Sequence, residues 1–191
     1  MKILDRYVLW VFVPAYAALT AALSAYGLTV PVGTLTPVTL VLLGLPFVAG
    51  IALSVTFLDL SRAQEFFALQ WAGMSLRRML FPSLALALTA PPLAAALALA
   101  LGTRLSLALT FLTASVCGTV VAVSAASAAA AGPQRRESSV YFTYSVITPF
   151  VFYVASFSLF PLLGDRVGTV LMPPLAAGFA LAAIGLFKRV P

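Results

Sequence analysis

The sequence predicts an all-α, polytopic membrane protein. Residues 1–191 form one transmembrane domain of six spanning helices, with a short cytoplasmic helix between the second and third. Three observations lead there. Hydrophobic residues make up 62% of the chain and charged residues 8%, which leaves too little polar surface to cover a fold dissolved in water. A bilayer core about 30 Å thick takes about 20 helical residues to cross, and the chain supplies six apolar stretches of that size. When the chain is cut between those stretches, nine of its 11 basic residues fall on one side. These are Lys2, Arg6, Arg62, Arg77, Arg78, Arg135, Arg136, Lys188 and Arg189, with only Arg104 and Arg166 on the other. Short cytoplasmic loops retain Lys and Arg, so both termini are expected in the cytoplasm of a multi-pass protein of the cell membrane.

The first span, Tyr7 to Val30, follows a basic flank from Lys2 to Arg6. A secretory signal cleaved near Ala22, Leu23 and Ser24 is the rival reading of these residues. The run exceeds the usual signal core, and its removal leaves an odd number of spans, so a spanning helix accounts for it more simply. Pro31 to Thr36 turns the chain into the second span, Pro37 to Leu58. After the loop from Asp59 to Arg78 comes the third span, Met79 to Leu101, joined by Gly102 to Arg104 to the fourth, Leu105 to Ala131. Gly132 to Ser139 leads to the fifth, Val140 to Leu163, and Gly164 to Arg166 leads to the sixth, Val167 to Phe187. The extracytoplasmic connections are too short to hold a domain, which leaves function to the spans and the cytoplasmic loops. Pro14, Pro46, Pro91 with Pro92, Pro149, and Pro173 with Pro174 interrupt the spans and are expected to kink them.

Several function classes are excluded. The net charge of +6 suggests nucleic-acid binding only in a soluble protein; here the cations flank apolar runs and meet anionic headgroups. The single cysteine, Cys117, allows no intrachain disulfide, and the absence of histidine removes the commonest metal ligand and general base together. No G-x-x-x-x-G-K-[ST] motif is present to cradle nucleotide phosphates, so any ATP hydrolysis requires a separate subunit. No acid falls inside the predicted spans, which removes candidates for proton relays and ion sites. No catalytic residue, cofactor or metal is therefore expected. The pattern suits a membrane subunit driven by another chain's chemistry.

Two features of the spans carry paired readings. Ala114 with Gly118 and Gly178 with Ala182 have small-xxx-small spacing, which serves helix packing within the chain or a dimer interface. In the fifth span Tyr141, Ser145, Thr148 and Ser156 share one face, with Tyr144 and Tyr153 nearby. Such a stripe bonds across to a neighbouring helix or faces a substrate.

The loop after the second span is the most specific feature. Ser61 and Gln64 have the S-x-x-Q spacing of a capping box, Gly73 suits the residue that ends a helix, and Ser75 suits the cap of the next. A helix of about three turns is expected between them. Its apolar residues Phe66, Phe67, Leu69 and Trp71 form no single stripe, as a helix gripped by a partner's groove requires, with Glu65 as the charged contact. The alternative is an interfacial helix anchored by Trp71.

The opening LDRYV, from Leu4 to Val8, and the block QEFFALQWAGMSLRRMLFP, from Gln64 to Pro82, resemble the LptF/LptG permeases that export lipopolysaccharide. The closing LMPPLAAGFALAAIGLFKR, from Leu171 to Arg189, resembles the start of that family's last helix. The resemblance implies an ABC transporter in which two six-span permeases, identical or paralogous, sit on two cytoplasmic ATPase subunits. It implies further that Glu65, Phe66, Phe67, Leu69, Ala72, Gly73 and Met74 lie in the coupling helix that docks in the ATPase groove. Two departures bear on the cargo. The family carries a periplasmic jellyroll domain between its third and fourth spans, where this chain has Gly102, Thr103 and Arg104. The family also uses basic residues near the top of its first span, and Tyr7 to Thr36 contains none. A membrane lipid less anionic than lipopolysaccharide, or another amphiphile, fits these departures. Two rivals remain: the MlaE-like lipid-trafficking permeases, which also carry an E-x-x-x-L-x-x-M/A-G segment, and a non-transporting structural subunit of a larger complex.

Overall fold

A computed structural model describes residues 3–29, 37–62, 68, 71, 76–131, 138–159, 161 and 164–188. Their helices are α1 (Ile3–Thr29), α2 (Pro37–Arg62), α3 (Leu76–Ala87), α4 (Ala90–Ala100), α5 (Leu105–Ala131), α6 (Ser138–Ser158) and α7 (Asp165–Lys188). Among the described residues there is no strand. Four stretches are long and apolar enough to cross a membrane: Val8–Thr29, Pro37–Leu60, Phe81–Ala100 and Leu105–Ala130. The remaining two apolar stretches, Thr143–Ser158 and Val167–Ala182, are shorter.

The bundle is organised around α2 and α5, the pair in most extensive contact. α5 also packs against α6 and α7, while α2 reaches α1, α4 and α6. α1 touches α2 and α3 and sits at the edge. The composition of α5 explains its central place. Ala114, Ser115, Thr119, Ala122, Ala125 and Ala129 are all fully buried, and side chains this small let several helices approach one backbone. α2 supplies the larger knobs, Leu42, Leu45, Leu53 and Phe57, which fill the space those small residues leave. Large apolar residues on the outside, including Trp10, Leu28, Leu93, Val170 and Leu181, are exposed, which suits a surface solvated by lipid.

The third predicted span is two helices. α3 stops at Ala87 and α4 starts at Ala90, with Leu88 and Thr89 in a turn. The reason lies just downstream: Pro91 and Pro92 have no N–H to give to the carbonyls of Ala87 and Leu88, and their rings crowd the preceding turn. Thr89 adapts by donating both its N–H, at 3.1 Å, and its hydroxyl, at 2.6 Å, to the Leu86 carbonyl. At Pro14, Pro46, Pro149 and Pro173–Pro174 the helix assignment continues unbroken.

Two other boundaries differ from the sequence reading. α2 runs through Asp59 and Ser61 to Arg62, four residues past the predicted limit at Leu58, and Gln64, the predicted capping partner of Ser61, lies outside the described residues. α6 ends at Ser158, five residues before the predicted limit at Leu163. Pro161 accounts for this, because it has no donor and restricts the residue before it.

The α4–α5 turn is a complete Schellman motif. The Thr103 N–H donates to the Ala98 carbonyl and the Gly102 N–H to the Leu99 carbonyl, both at 3.0 Å. Gly102 takes φ of 87°, and a Cβ there meets nothing within 4 Å. The penalty for a side chain at this position is therefore backbone strain alone. Gly102→Ala is expected to cost about 1 kcal/mol, and Gly102→Asn less, because asparagine tolerates the left-handed region. Thermal unfolding of both variants in detergent, with helical ellipticity as the signal, checks the ranking.

Candidate functional site

Three regions compete as the functional site: the cytoplasmic connection, the hydroxyl-bearing face of α6, and a groove between α1 and α3.

The connection spans residues 63–75 between the end of α2 and the start of α3. Glu65, Phe66, Phe67, Leu69, Ala72, Gly73 and Met74 lie outside the described residues. Trp71 is described and is 91% exposed. The attachments of this connection are defined: it hangs from α2, the helix that contacts α1, α4, α5 and α6.

On α6 the four predicted residues diverge. Tyr141 lies on the first turn of the helix, with its side chain outside the described set. Ser145 is fully buried, and its hydroxyl bonds to the hydroxyl of Ser54 on α2. Thr148 is half-buried. Ser156 is buried, and its hydroxyl has no partner among the described residues. The Ser54–Ser145 bond depends on a small residue one turn away. A Cβ added to Gly50 lies 3.0 Å from the Ser145 carbonyl oxygen and 3.1 Å from the Ala122 Cβ, so glycine lets α6 and α5 close on α2 together. Most other hydroxyls bond back within their own helix: Thr56 donates to the Ala52 carbonyl and Thr119 to the Ser115 carbonyl, both at 2.8 Å.

Tyr153 is the residue that the sequence reading undervalued. It is buried among Phe47 on α2, Phe152 and Phe157 on α6, and Gly118 on α5, with ring centroids 5.7 to 5.9 Å apart. Phe152 in turn meets Phe179 of α7 edge to face at 5.9 Å. A Cβ at Gly118 lies 2.9 Å from the Tyr153 hydroxyl and 2.9 Å from the Pro46 Cγ. Ala114–Gly118 is thus a packing notch within the chain; its spacing was the legible signal, and the identity of the knob was not. Gly178 has nothing within 4 Å of a Cβ, and Ala182 is exposed, so the second small pair faces outward.

The α1–α3 groove has a volume of about 590 Å³ and is walled by Leu9 and Val13 on one side and Phe81, Ala85 and Leu86 on the other. Its one hydroxyl, on Thr89, is already committed to the Leu86 carbonyl. Among the described residues no group of three His, Cys, Asp or Glu side chains is placed to hold a metal ion. Cys117 is a free, buried thiol. No family model, curated protein or solved structure matches the chain.

The Gly118 notch gives a direct test of which contact sets the helix spacing. Gly118→Ala is expected to destabilise the bundle by about 1–3 kcal/mol through overpacking. Adding Tyr153→Phe to that variant removes the hydroxyl the new methyl meets, and recovery of part of the loss in detergent thermal unfolding is the expected result.

Proposed function

We propose that the chain is the permease subunit of an ABC-type transporter for a lipid or other amphiphile. In this reading it spans the cell membrane six times with both termini cytoplasmic, pairs with a second copy or a paralogue, and is driven by separate ATPase chains. The observation that carries the reading is the block from Gln64 to Pro82, with its LptF/LptG-like pattern, which runs from the connection after α2 into the first turns of α3. A load on residues 63–75 is delivered to α2, and α2 packs on α1, α4, α5 and α6. A lever attached there moves most of the bundle, whereas one attached to peripheral α1 moves little.

Six spans are supported by helix length. The shorter apolar stretches of α6 and α7 belong to helices of 21 and 24 residues, about 30 Å or more at the α-helical rise, enough to cross the hydrocarbon. Cargo chemistry is supported by where the polar groups are. The described hydroxyls of Ser54, Thr56, Thr119 and Ser145 are consumed in packing or back-bonded to their own helices. The hydroxyls left without a partner among the described residues, those of Tyr16, Ser83, Ser115, Tyr153 and Ser156, are buried inside the bundle, and the outer surface is lined by large apolar side chains, which suits an amphiphile moving laterally between permeases. The two-part third span supplies a point of bending in the helix that directly follows the lever, and nucleotide-driven closure then opens or collapses the cavity between copies.

Affinity purification in mild detergent is expected to recover a P-loop ATPase with the wild-type chain and to lose it with Glu65→Arg or Phe67→Asp. An intact complex containing no ATPase overturns the transport assignment in favour of a structural subunit. Orientation is tested by cysteine labelling of intact cells with an impermeant maleimide: Thr103→Cys is expected to label and Ser138→Cys to stay unlabelled, and the reverse pattern inverts the topology.

A further inference from the structure

The groove between α1 and α3 is unoccupied by any side chain among the described residues and plays no part in the transport reading. Its walls are Leu9, Val13, Phe81, Ala85 and Leu86, and its 590 Å³ falls within the range of about 300–1,000 Å³ typical of ligand sites. Phe81 is 72% exposed and Val13 42% exposed at its edges, so the groove is open along one side to the surrounding apolar medium. Its lining side chains offer no free hydrogen-bond donor, because the Thr89 hydroxyl already donates to the Leu86 carbonyl at 2.6 Å. A polar ligand gains nothing there; a hydrocarbon chain gains about 0.8 kcal/mol for each methylene it removes from water, and dispersion contacts when it comes from lipid.

The two helices that form the groove begin at the same end of the bundle: α1 is antiparallel to α2, with Gly27 near Pro37 and Gly44 near Leu23, and so is the α3–α4 pair, with Ala98 in one cluster with Leu42 and Ala87 in another with Phe57 and Leu60. That end is cationic. Arg6 stands three residues before Leu9 on α1, and Arg77 and Arg78 stand four and three residues before Phe81 on α3. Each is about one helical turn, roughly 5 Å, from the groove's first wall residue. The only acid in these two helix starts is Asp5, against those three arginines. From Phe81 to Thr89 the groove runs about 12 Å along α3, the length of the upper part of an acyl chain.

An apolar slot of one-chain width, closed to hydrogen bonding and headed at one end by an excess of arginines, matches one amphiphile class. We propose that this groove binds an anionic glycerophospholipid, with one acyl chain between α1 and α3 and its phosphate at the Arg6, Arg77 and Arg78 end. The site belongs to the leaflet that surrounds the N-terminal ends of these two helices. It is independent of the transport reading: a resident lipid here seats peripheral α1 against the bundle whether or not the chain moves cargo.

The test uses the full-length protein reconstituted in vesicles of equal phosphatidylglycerol and phosphatidylcholine, then released into detergent for native mass spectrometry of retained lipid. Wild-type protein is expected to retain phosphatidylglycerol in preference to phosphatidylcholine. Arg77→Gln with Arg78→Gln is expected to cut that preference about thirty-fold, the factor that two basic side chains at an anionic surface supply. Ala85→Trp fills the groove from an exposed position and is expected to abolish retention of both lipids, with Ala85→Leu as the milder variant if helical ellipticity shows misfolding. Equal retention of the two lipids by the wild type overturns the proposal, as does undiminished phosphatidylglycerol on the groove-filled variants. If those variants instead shift a dimer to a monomer while lipid retention stays constant, the groove holds a helix of a second copy and the lipid assignment is wrong.

Discussion

The close approach of α2 to α5 is the constraint on which the remaining contacts depend. In lipid, apolar surface gains little by leaving its solvent, so helices associate through packing density and the few hydrogen bonds they share. α5 meets this requirement by being nearly all small along its buried faces, from Ala114 to Ala130. Glycines at the crossings, Gly50 on α2 and Gly118 on α5, then set how near the third helix, α6, sits. With that triangle in place Ser54 and Ser145 reach each other, Tyr153 drops beside Pro46, and Phe152 presents an edge to α7. Loosening the α2–α5 distance strains all of these contacts together, because each is made across or beside that crossing.

The periphery follows a different rule. α1 and the α3–α4 pair are mostly exposed, and their large residues, Trp10, Phe81, Leu93 and Leu97, point outward. These helices are held by fewer neighbours than α2 or α5 and leave a groove between them in the bundle's outer wall. A stiff centre with a lightly held edge is the division a machine needs if one part is to transmit force and another is to yield.

Much of this was legible in the residues, for identifiable reasons. α5 occupies Leu105 to Ala131 as read from the sequence, because Gly102 with its left-handed backbone ends the preceding helix and Gly132 follows the last alanine. The limits that moved were those where local chemistry overrode hydropathy. Apolar character continues through Leu88 and through Leu162, and only the missing donors of Pro91, Pro92 and Pro161 break the helices there. Hydropathy put the end of α2 at Leu58, where the charge of Asp59 begins, but the backbone ladder continues through it to Arg62. On the α6 stripe, periodicity puts Ser145, Thr148 and Ser156 on one side of the helix, yet periodicity has no information about which helix lies opposite. Ser54, ninety-one residues earlier in the chain, could not be paired with Ser145 before the bundle was assembled. The docking residues from Glu65 to Met74 lie outside the described residues, so their part in the function rests on pattern.

The Gly102–Arg104 turn also governs how the protein is made. Three residues reach at most about 10 Å when extended, a third of the hydrocarbon thickness, and here they are already folded back by two hydrogen bonds to α4. α4 therefore cannot wait inside the bilayer for α5 to be translated and threaded separately. In the proposed orientation the insertion machinery accepts the two as one helical hairpin, and Arg104 at its tip crosses with the apolar pair on either side of it.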